Sequence, residues 1–296
     1  SSILVLSTIS LFRVILNVES YMNFRGKVIL ITGASSGIGA ATAKHFAEFN
    51  ASLALAGRNL SNLKQVASNC KTISRESPFI FTGDLTNEEE TRALIESVLN
   101  HYTRLDILVN NAATAELGSI EDTSLAQYDR VLNTNVRSVY HLTMLAVPHL
   151  IRTKGSIINV SSVSGLRPSL GFLAYCTSKA AIDQFTRSLA LELADKGVRV
   201  NSVSPGVILT GIHKRAGMDD AAYAEFLQKA EKVQPLGRVG TAQEVAANHY
   251  KLKTIIQILF FTRSRRNEGR SKTKVDVMHC VSAKINLEID IFALLM

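Results

Sequence analysis

Short apolar runs alternate with amphipathic stretches of helical length along most of the chain. Six runs are rich in Val, Ile, Leu, Phe and Ala, which is typical of strands that are buried on both faces. They cover residues 27–32, 52–57, 78–84, 105–112, 155–162 and 198–206. Because helical patterns separate them, we predict an α/β fold with a single doubly wound, Rossmann-type parallel sheet and helices on both faces.

The helical patterns also indicate where the domain ends. Residues 125–150 predict one long helix, a second helix contains Tyr175 and runs to about Asp195, and residues 219–233 form an amphipathic helix. No repeat or low-complexity linker interrupts this pattern. We therefore predict one domain over 23–247, an apolar extension over 1–22 and a basic tail over 248–296.

The cysteine and histidine patterns argue against disulfide and metal sites. The three cysteines, Cys70, Cys176 and Cys280, are widely spaced and form no C-x-x-C pair. This spacing indicates a reducing compartment rather than a disulfide framework or a zinc site. The seven histidines show no metal-ligand spacing, so we expect no metal.

The net charge of +8 is concentrated at one end of the chain. Residues 248–296 hold nine Lys and Arg and four Asp and Glu, so this tail alone supplies +5. A nucleic-acid partner is therefore not expected of the whole protein. The basic run over 263–274 allows two interpretations, a solvated tail or a nuclear-localisation or nucleic-acid patch.

The first residues also leave two interpretations open. Residues 1–18 are mostly apolar and would span about 27 Å as a helix, close to a bilayer core. Arg13 inside this stretch would cost about 2.5–3.5 kcal/mol near the bilayer centre. We expect a cytoplasmic protein whose natural start is Met22, with a membrane anchor over 1–18 as the alternative.

A glycine-rich turn follows the first predicted strand. Gly33 permits a tight turn, Gly37 lets the backbone approach a pyrophosphate, and Gly39 lets the next helix pack close to the sheet. The helix N-terminus then presents N–H groups to the phosphates. Ordinary strand–helix turns use glycine too, but the position at the first βα junction favours a dinucleotide site that includes Ser35, Ser36 and Ile38.

Arg58 follows the second predicted strand, where a Rossmann fold meets the adenosine ribose. This position has no carboxylate for the ribose 2′-hydroxyl of NAD, and a guanidinium suits a 2′-phosphate. We therefore expect NADP(H) to be preferred over NAD(H). The alternative is a solvated surface arginine.

Tyr175 and Lys179 lie four residues apart on a predicted helix, so both side chains share one face. An isolated pair of this kind is most often the edge of an amphipathic helix. The other interpretation is an acid–base pair, in which the ammonium lowers the pKa of the phenol.

Seven ordered motifs over residues 26–247 together resemble the short-chain dehydrogenase/reductase family, nearest to its 3-oxoacyl and carbonyl reductases. They are the turn Thr32–Gly39, the pair Asp84 and Leu85, the segment Asn110–Ala113, Asn135, Ser162, the pair Tyr175 and Lys179, and the segment Pro205–Thr210. One departure is Ala113, which stands where the family has glycine.

The resemblance implies a role for each matching residue. Tyr175 would be the general acid, Ser162 would orient the substrate oxygen, Asn135 would hold a water, and Lys179 would also hold the ribose hydroxyls. The remaining cofactor contacts would come from Asp84, Leu85, Asn111, Ala112, Pro205, Gly206 and Thr210. The residues after Thr210 would form the substrate lid.

The resemblance stops at about residue 247, where the family would continue to a seventh strand. That strand is missing or atypical here, although residues 284–295, whose first half alternates polar and apolar residues, offer a substitute. The homo-oligomer expected for the family is therefore in doubt, because its members commonly use this strand as an interface.

These observations predict an oxidoreductase that interconverts a small-molecule carbonyl compound and an alcohol with NADP(H). Two alternatives remain open: an inactive or unstable isoform, because of the altered C-terminus, and an interaction protein that acts through its basic tail.

Overall fold

The computed structural model describes residues 24–251. The predicted extension over 1–22, the substitute strand and nearly all of the basic tail lie outside these residues. Within them, no helix is long and apolar enough to cross a bilayer.

Six parallel strands form one sheet in the order β3-β2-β1-β4-β5-β6. The strands are β1 (Val28–Thr32), β2 (Ser52–Gly57), β3 (Phe79–Thr82), β4 (Ile107–Asn110), β5 (Ser156–Val160) and β6 (Arg199–Val203). The strand order reverses between β1 and β4, which is the position where doubly wound sheets open a crevice for a ligand. The predicted fold class is confirmed.

Helices surround this sheet. They are α1 (Gly37–Glu48), α2 (Leu60–Ser74), α3 (Glu88–Tyr102), α4 (Leu125–Leu132), α5 (Ser138–Thr153), α6 (Leu173–Leu193), α7 (Ile212–Arg215), α8 (Asp220–Val233) and α9 (Ala242–Lys251). A π-helical turn (Asn133–Arg137) joins α4 to α5, and a 3₁₀ turn (Val163–Gly165) follows β5.

The core has one apolar layer on each face of the sheet. Ile29 and Ile31 of β1 pack with Phe46 and Leu63 of α1 and α2 on one face. On the other face, Leu30 packs with residues of α3, α5 and α6 such as Leu94, Leu142 and Leu193. Both faces are therefore covered, which explains why the strands are continuous apolar runs.

The structure corrects two predicted boundaries. The single helix predicted over 125–150 is divided by the π-helical turn Asn133–Arg137. At this turn, the Asn135 side chain hydrogen-bonds the backbone N–H and carbonyl groups of Thr114. Four predicted strands also extend two or three residues too far, since their polar carboxyl-terminal residues leave the sheet and build the site described below. These strands end at Thr82, Asn110, Val160 and Val203.

Asp106 immediately precedes β4 and joins the amino-terminal ends of the two central strands, β1 and β4. Its buried carboxylate accepts hydrogen bonds from the Val28 backbone N–H (3.0 Å), from Lys27 Nζ (3.0 Å) and from Arg104 (2.7 and 2.8 Å). Burial alone would raise the pKa of this carboxyl, but the hydrogen bonds from Arg104, Val28 and Lys27 outweigh burial and hold the pKa below its usual value.

We predict that Asp106→Asn lowers the free energy of unfolding by about 1–3 kcal/mol at pH 7, because the buried site loses its charge. A depressed folded-state pKa stabilises the protein above the unfolded value near 4, and this contribution is lost as the pH falls through the folded value. Urea unfolding at pH 7 and pH 3 should therefore show a smaller difference between variant and wild type at pH 3. The exposed Asp195→Asn is the control; an equal loss at both pH values would contradict the assignment.

Candidate active site

The predicted site residues meet at the carboxyl ends of the strands. The glycine turn follows β1, Arg58 and Asp84 follow β2 and β3, and Asn111 and Ala112 follow β4. Ser162 follows β5, and the segment Pro205–Thr210 follows β6. Residues separated by up to 178 positions along the chain (Thr32 to Thr210) therefore border one crevice.

Close packing explains the glycines of the turn. Gly33 and Gly37 have φ angles of +62° and +54°, a region that favours glycine. A Cβ atom at Gly33 would lie 2.9 Å from Ala112 Cα, and one at Gly39 would overlap the Gly33 carbonyl oxygen. The turn therefore lies directly against Ala112.

Hydrogen bonds fasten the turn to the end of β4. Thr32 Oγ1 accepts from the backbone N–H groups of Asn111 (2.9 Å) and Ala112 (3.0 Å) and donates to the Val109 carbonyl. The Asn111 amide donates to the Thr32 carbonyl (2.8 Å). These two motifs therefore form one rigid wall of the crevice.

The N-terminus of α1 can hold an anion. Ser36 is the N-cap residue, but its side chain makes no capping hydrogen bond, and the first turn carries no acidic side chain. The first backbone N–H groups of a helix have no partner within the helix, and a Cβ atom at Gly37 would stand 3.3 Å from Thr210 Cγ2, where glycine instead leaves space. The donor set and the shape fit the pyrophosphate of a dinucleotide.

Three further residues predicted to contact the cofactor lie beside other parts of the protein. Ser35 Oγ lies at the end of β2, 3.5 Å from where a Cβ atom at Gly57 would stand. Ile38 packs against the core layer under α1, and Leu85 packs against the opposite layer. The side chains of Ile38 and Leu85 are partly buried by this packing.

Arg58 and Asp84 form an exposed ion pair, with 3.7 Å between Arg58 Nη1 and Asp84 Oδ2. Burial raises the pKa of Asp84, but hydrogen bonds from Thr86 and the charge of Arg58 lower it further than burial raises it. The guanidinium is 73% exposed, so it can leave this carboxylate for a phosphate. The sequence predicted both residues but not their pairing.

Two residues that the sequence analysis missed hold the segment Pro205–Thr210. Gln234 Oε1 accepts from the Val207 N–H (3.1 Å), and its amide donates to the Arg238 carbonyl (2.8 Å). The Tyr223 hydroxyl donates to the Thr210 carbonyl (3.1 Å). Both contacts join the predicted lid to the segment after β6, and no local sequence pattern marks them.

Asn135 is 1% exposed, and its side chain hydrogen-bonds Thr114 in the loop after β4 and Ser178 on α6. Its Oδ1 accepts from the Thr114 N–H (2.8 Å), and its Nδ2 donates to the Thr114 carbonyl (2.8 Å) and to Ser178 Oγ (2.9 Å). Both amide hydrogens are therefore used within the protein. The water-holding role implied by the resemblance stays a prediction.

Ser162, Tyr175 and Lys179 lie together above the end of β5. The Ser162 hydroxyl hydrogen-bonds the Tyr175 hydroxyl, and its oxygen also accepts from the Ser164 N–H (3.1 Å). Lys179 is 3% exposed; its Nζ donates to the Val160 carbonyl (2.8 Å) and lies 5.6 Å from the centroid of the Tyr175 ring.

The electrostatics of this group differ from the expectation for Tyr175. Burial raises the pKa of its phenol, and the hydrogen bond with Ser162 lowers the pKa by less than burial raises it. Burial also lowers the pKa of Lys179 to about 8. The net pKa of Tyr175 therefore lies above its usual value rather than below it as predicted, because burial outweighs the interactions that favour the phenolate.

An aromatic wall stands beside Tyr175. The Phe172 ring centroid lies 6.3 Å from that of Tyr175 and 6.0 Å from that of His213, and His213 also contacts Tyr223 and Phe226. Burial lowers the pKa of His213, so the imidazole is neutral at pH 7. The sequence analysis placed His213, Tyr223 and Phe226 in the lid without describing them, and it did not identify Phe172.

Potential metal ligands are dispersed in this part of the chain. Over residues 24–251, no group of three or more His, Cys, Asp or Glu side chains is placed to hold a metal ion. Cys176 is buried and packs with Phe172, Ala115 and Ala216, and its sulfur contacts the Ser169 backbone.

The chain is similar to a large group of oxidoreductases. The family model for short chain dehydrogenases matches residues 27–221. A 3-oxoacyl-[acyl-carrier-protein] reductase from Thermotoga maritima is 34% identical over 227 residues, which are 76% of this chain and 89% of that protein. An NADPH-dependent aldehyde reductase from Arabidopsis thaliana is 36% identical over 236 residues, covering 76% of this chain and 78% of the relative.

A solved structure shows the same architecture. The L-sorbose reductase from Gluconobacter frateurii, complexed with NADPH and L-sorbose, superposes with a TM-score of 0.73 at 30% identity. The match covers 78% of this chain and 91% of that one. With these similarities and the crevice described above, the chain belongs to the short-chain dehydrogenase/reductase family, whose members are NAD(P)-dependent oxidoreductases acting on CH–OH or carbonyl groups.

Proposed function

We propose that the chain reduces a small carbonyl compound to an alcohol with NADPH, with Tyr175 as general acid. The observation that carries this proposal is the contact of Ser162, Tyr175 and Lys179 at the end of β5, on the same sheet edge as the glycine turn. A phenol, a hydroxyl and an ammonium placed in this way can bind and protonate a carbonyl oxygen.

The proton moves from the Tyr175 hydroxyl to the carbonyl oxygen of the substrate. The bound nicotinamide supplies the hydride. The Ser162 hydroxyl is placed to hydrogen-bond the same oxygen, and it thereby orients the carbonyl for protonation. A raised pKa keeps Tyr175 protonated at neutral pH, as an acid requires.

Lys179 stabilises the phenolate that remains. Its ammonium is buried and close to the ring, where an unscreened charge acts strongly. With a pKa of about 8, Lys179 carries this charge at neutral pH and loses it as the pH rises through that value. Asn135 supports the arrangement by holding the α4–α5 turn against Ser178 on α6.

The wall beside Tyr175 supports a substrate with an apolar or aromatic flank. The rings of Phe172, Tyr223 and Phe226 each contact the neutral His213 ring. The neighbouring Ile212 and Met218 are apolar. The relatives carry names for thioester, aldehyde and sugar substrates.

Arg58 supports a preference for NADPH over NADH. Its exposed guanidinium stands at the end of β2 and can form charge-assisted hydrogen bonds to a 2′-phosphate. Asp84, 3.7 Å away, repels that phosphate and makes the preference moderate. One relative is named as NADPH-dependent, and one structural neighbour holds NADPH.

We predict that Tyr175→Phe reduces kcat at least about 100-fold, because the proton donor is lost while the ring and its packing remain. NADPH oxidation at 340 nm would be followed with a panel of aromatic and aliphatic aldehydes and ketones. The exposed Tyr140→Phe is the matched control and should keep full activity. Unchanged kcat in Tyr175→Phe would exclude Tyr175 as the acid.

We predict that Arg58→Gln weakens NADPH binding about tenfold and leaves NADH binding within a factor of two, because only NADPH carries the 2′-phosphate. Nicotinamide fluorescence titrations measure both constants. Arg152→Gln, an exposed arginine near the end of α5, should change neither. Equal losses for both cofactors would mean that Arg58 does not recognise the phosphate.

A further inference from the structure

Asp183 is a buried carboxylate that the proposed mechanism does not use. It lies one helical turn after Lys179 on α6 and is 5% exposed. The Ser161 hydroxyl hydrogen-bonds this carboxylate and also lies 3.3 Å from the Lys179 carbonyl oxygen. Asp183 therefore lies where α6 meets Ser161, the residue that follows β5 and precedes Ser162.

The 3₁₀ turn after Ser162 leaves room for this carboxylate. A Cβ atom at Gly165 would overlap Asp183 Oδ2 and would lie 2.9 Å from the backbone carbonyl carbon of Lys179. A larger residue at position 165 would therefore push the turn away from α6. The segment that carries Ser162 is thus seated on Asp183 and on the backbone of Lys179.

The carboxylate is incompletely satisfied as a hydrogen-bond acceptor. Over the described residues, no donor lies within hydrogen-bonding distance of the buried Oδ2 atom. Leaving a buried acceptor unpaired is destabilising, so hydrogen bonding alone does not explain an aspartate here. Its charge is the remaining property that acts on the surroundings.

Asp183 and Lys179 lie four residues apart on α6 and therefore share one helix face, which brings the carboxylate's charge close to the lysine. The negative Asp183 raises the pKa of Lys179 against the larger lowering by burial. Burial raises the pKa of Asp183, whereas the Ser161 hydrogen bond and the positive charges of Arg187 and Lys179 lower it. Each member of the Lys179–Asp183 pair therefore favours the charged form of the other.

The other groups around Lys179 are mostly neutral. Tyr175 faces it from the same helix, and β5 contributes the Val160 carbonyl. The turn Val163–Gly165 has no ionisable side chain, and the π-helical turn presents the neutral Asn135 amide to Ser178. Asp183 is thus the charged group that acts on this ammonium within the described residues.

We propose that Asp183 is a positioning residue that keeps the Lys179 ammonium charged in its buried place and seats the Ser162 segment on α6. The consequence for catalysis rests on the function proposed above. The electrostatic effect is a property of the chain itself and can be measured without cofactor or substrate.

The test is an NMR pH titration of the full chain labelled with ¹³C at lysine Cε. Lys179 should titrate near pH 8, well below ordinary lysines near 10.4, and Lys179→Arg identifies its signal by loss. In Asp183→Asn, the midpoint should move to lower pH by more than about 0.5 pH unit. Asp195→Asn, an exposed change just beyond the same helix, should leave it in place.

The wild-type chain provides a second measurement in case Asp183→Asn does not fold. With ¹³C-labelled aspartate carboxyls, one signal should shift at the same pH as Lys179, because its neighbour loses a charge there. An unchanged Lys179 midpoint in folded Asp183→Asn, or the absence of such an aspartate signal, would overturn the proposal. A downward shift supports it whether or not the chain reduces carbonyl compounds, which separates this inference from the proposed function.

Discussion

The site depends on burying one ammonium group. Lys179 is 3% exposed, and removing a charge from water is costly unless other groups replace the solvent. The Val160 carbonyl provides part of that replacement, the Asp183 charge is proposed above to favour the ammonium further, and the pKa of about 8 leaves the group charged near neutral pH. The same helix turn carries Tyr175, so the position of the ammonium also fixes the position of the phenol.

The crevice is rigid because its parts are joined across long sequence separations. Thr32 and Asn111 connect the glycine turn to the end of β4, and Asn135 connects the α4–α5 turn to Ser178. Gln234 and Tyr223 connect the lid to the segment after β6. Such joints hold reacting groups in place before any ligand binds, which is what electrostatic catalysis requires.

Sequence periodicity predicted the six strands and most helices, because strands that are buried on both faces must be apolar throughout. The predicted strands were too long in four cases, because residues such as Asn111 and Ser162 directly follow the apolar run but turn out of the sheet to form the site. Gln234, His213 and Asp183 were missed because their partners are distant in the chain or follow no spacing rule. The raised pKa of Tyr175 depends on burial, which no local motif encodes.

The most direct test of the account is transfer of deuterium from NADPH that carries deuterium at both positions of the nicotinamide C4. The full chain would be incubated with the labelled cofactor and a panel of aromatic and aliphatic carbonyl compounds, and the alcohols analysed by mass spectrometry. We expect one deuterium on the carbinol carbon of at least one product, and none with Tyr175→Phe. Alcohol formed without deuterium, or equally well by Tyr175→Phe, would contradict the mechanism.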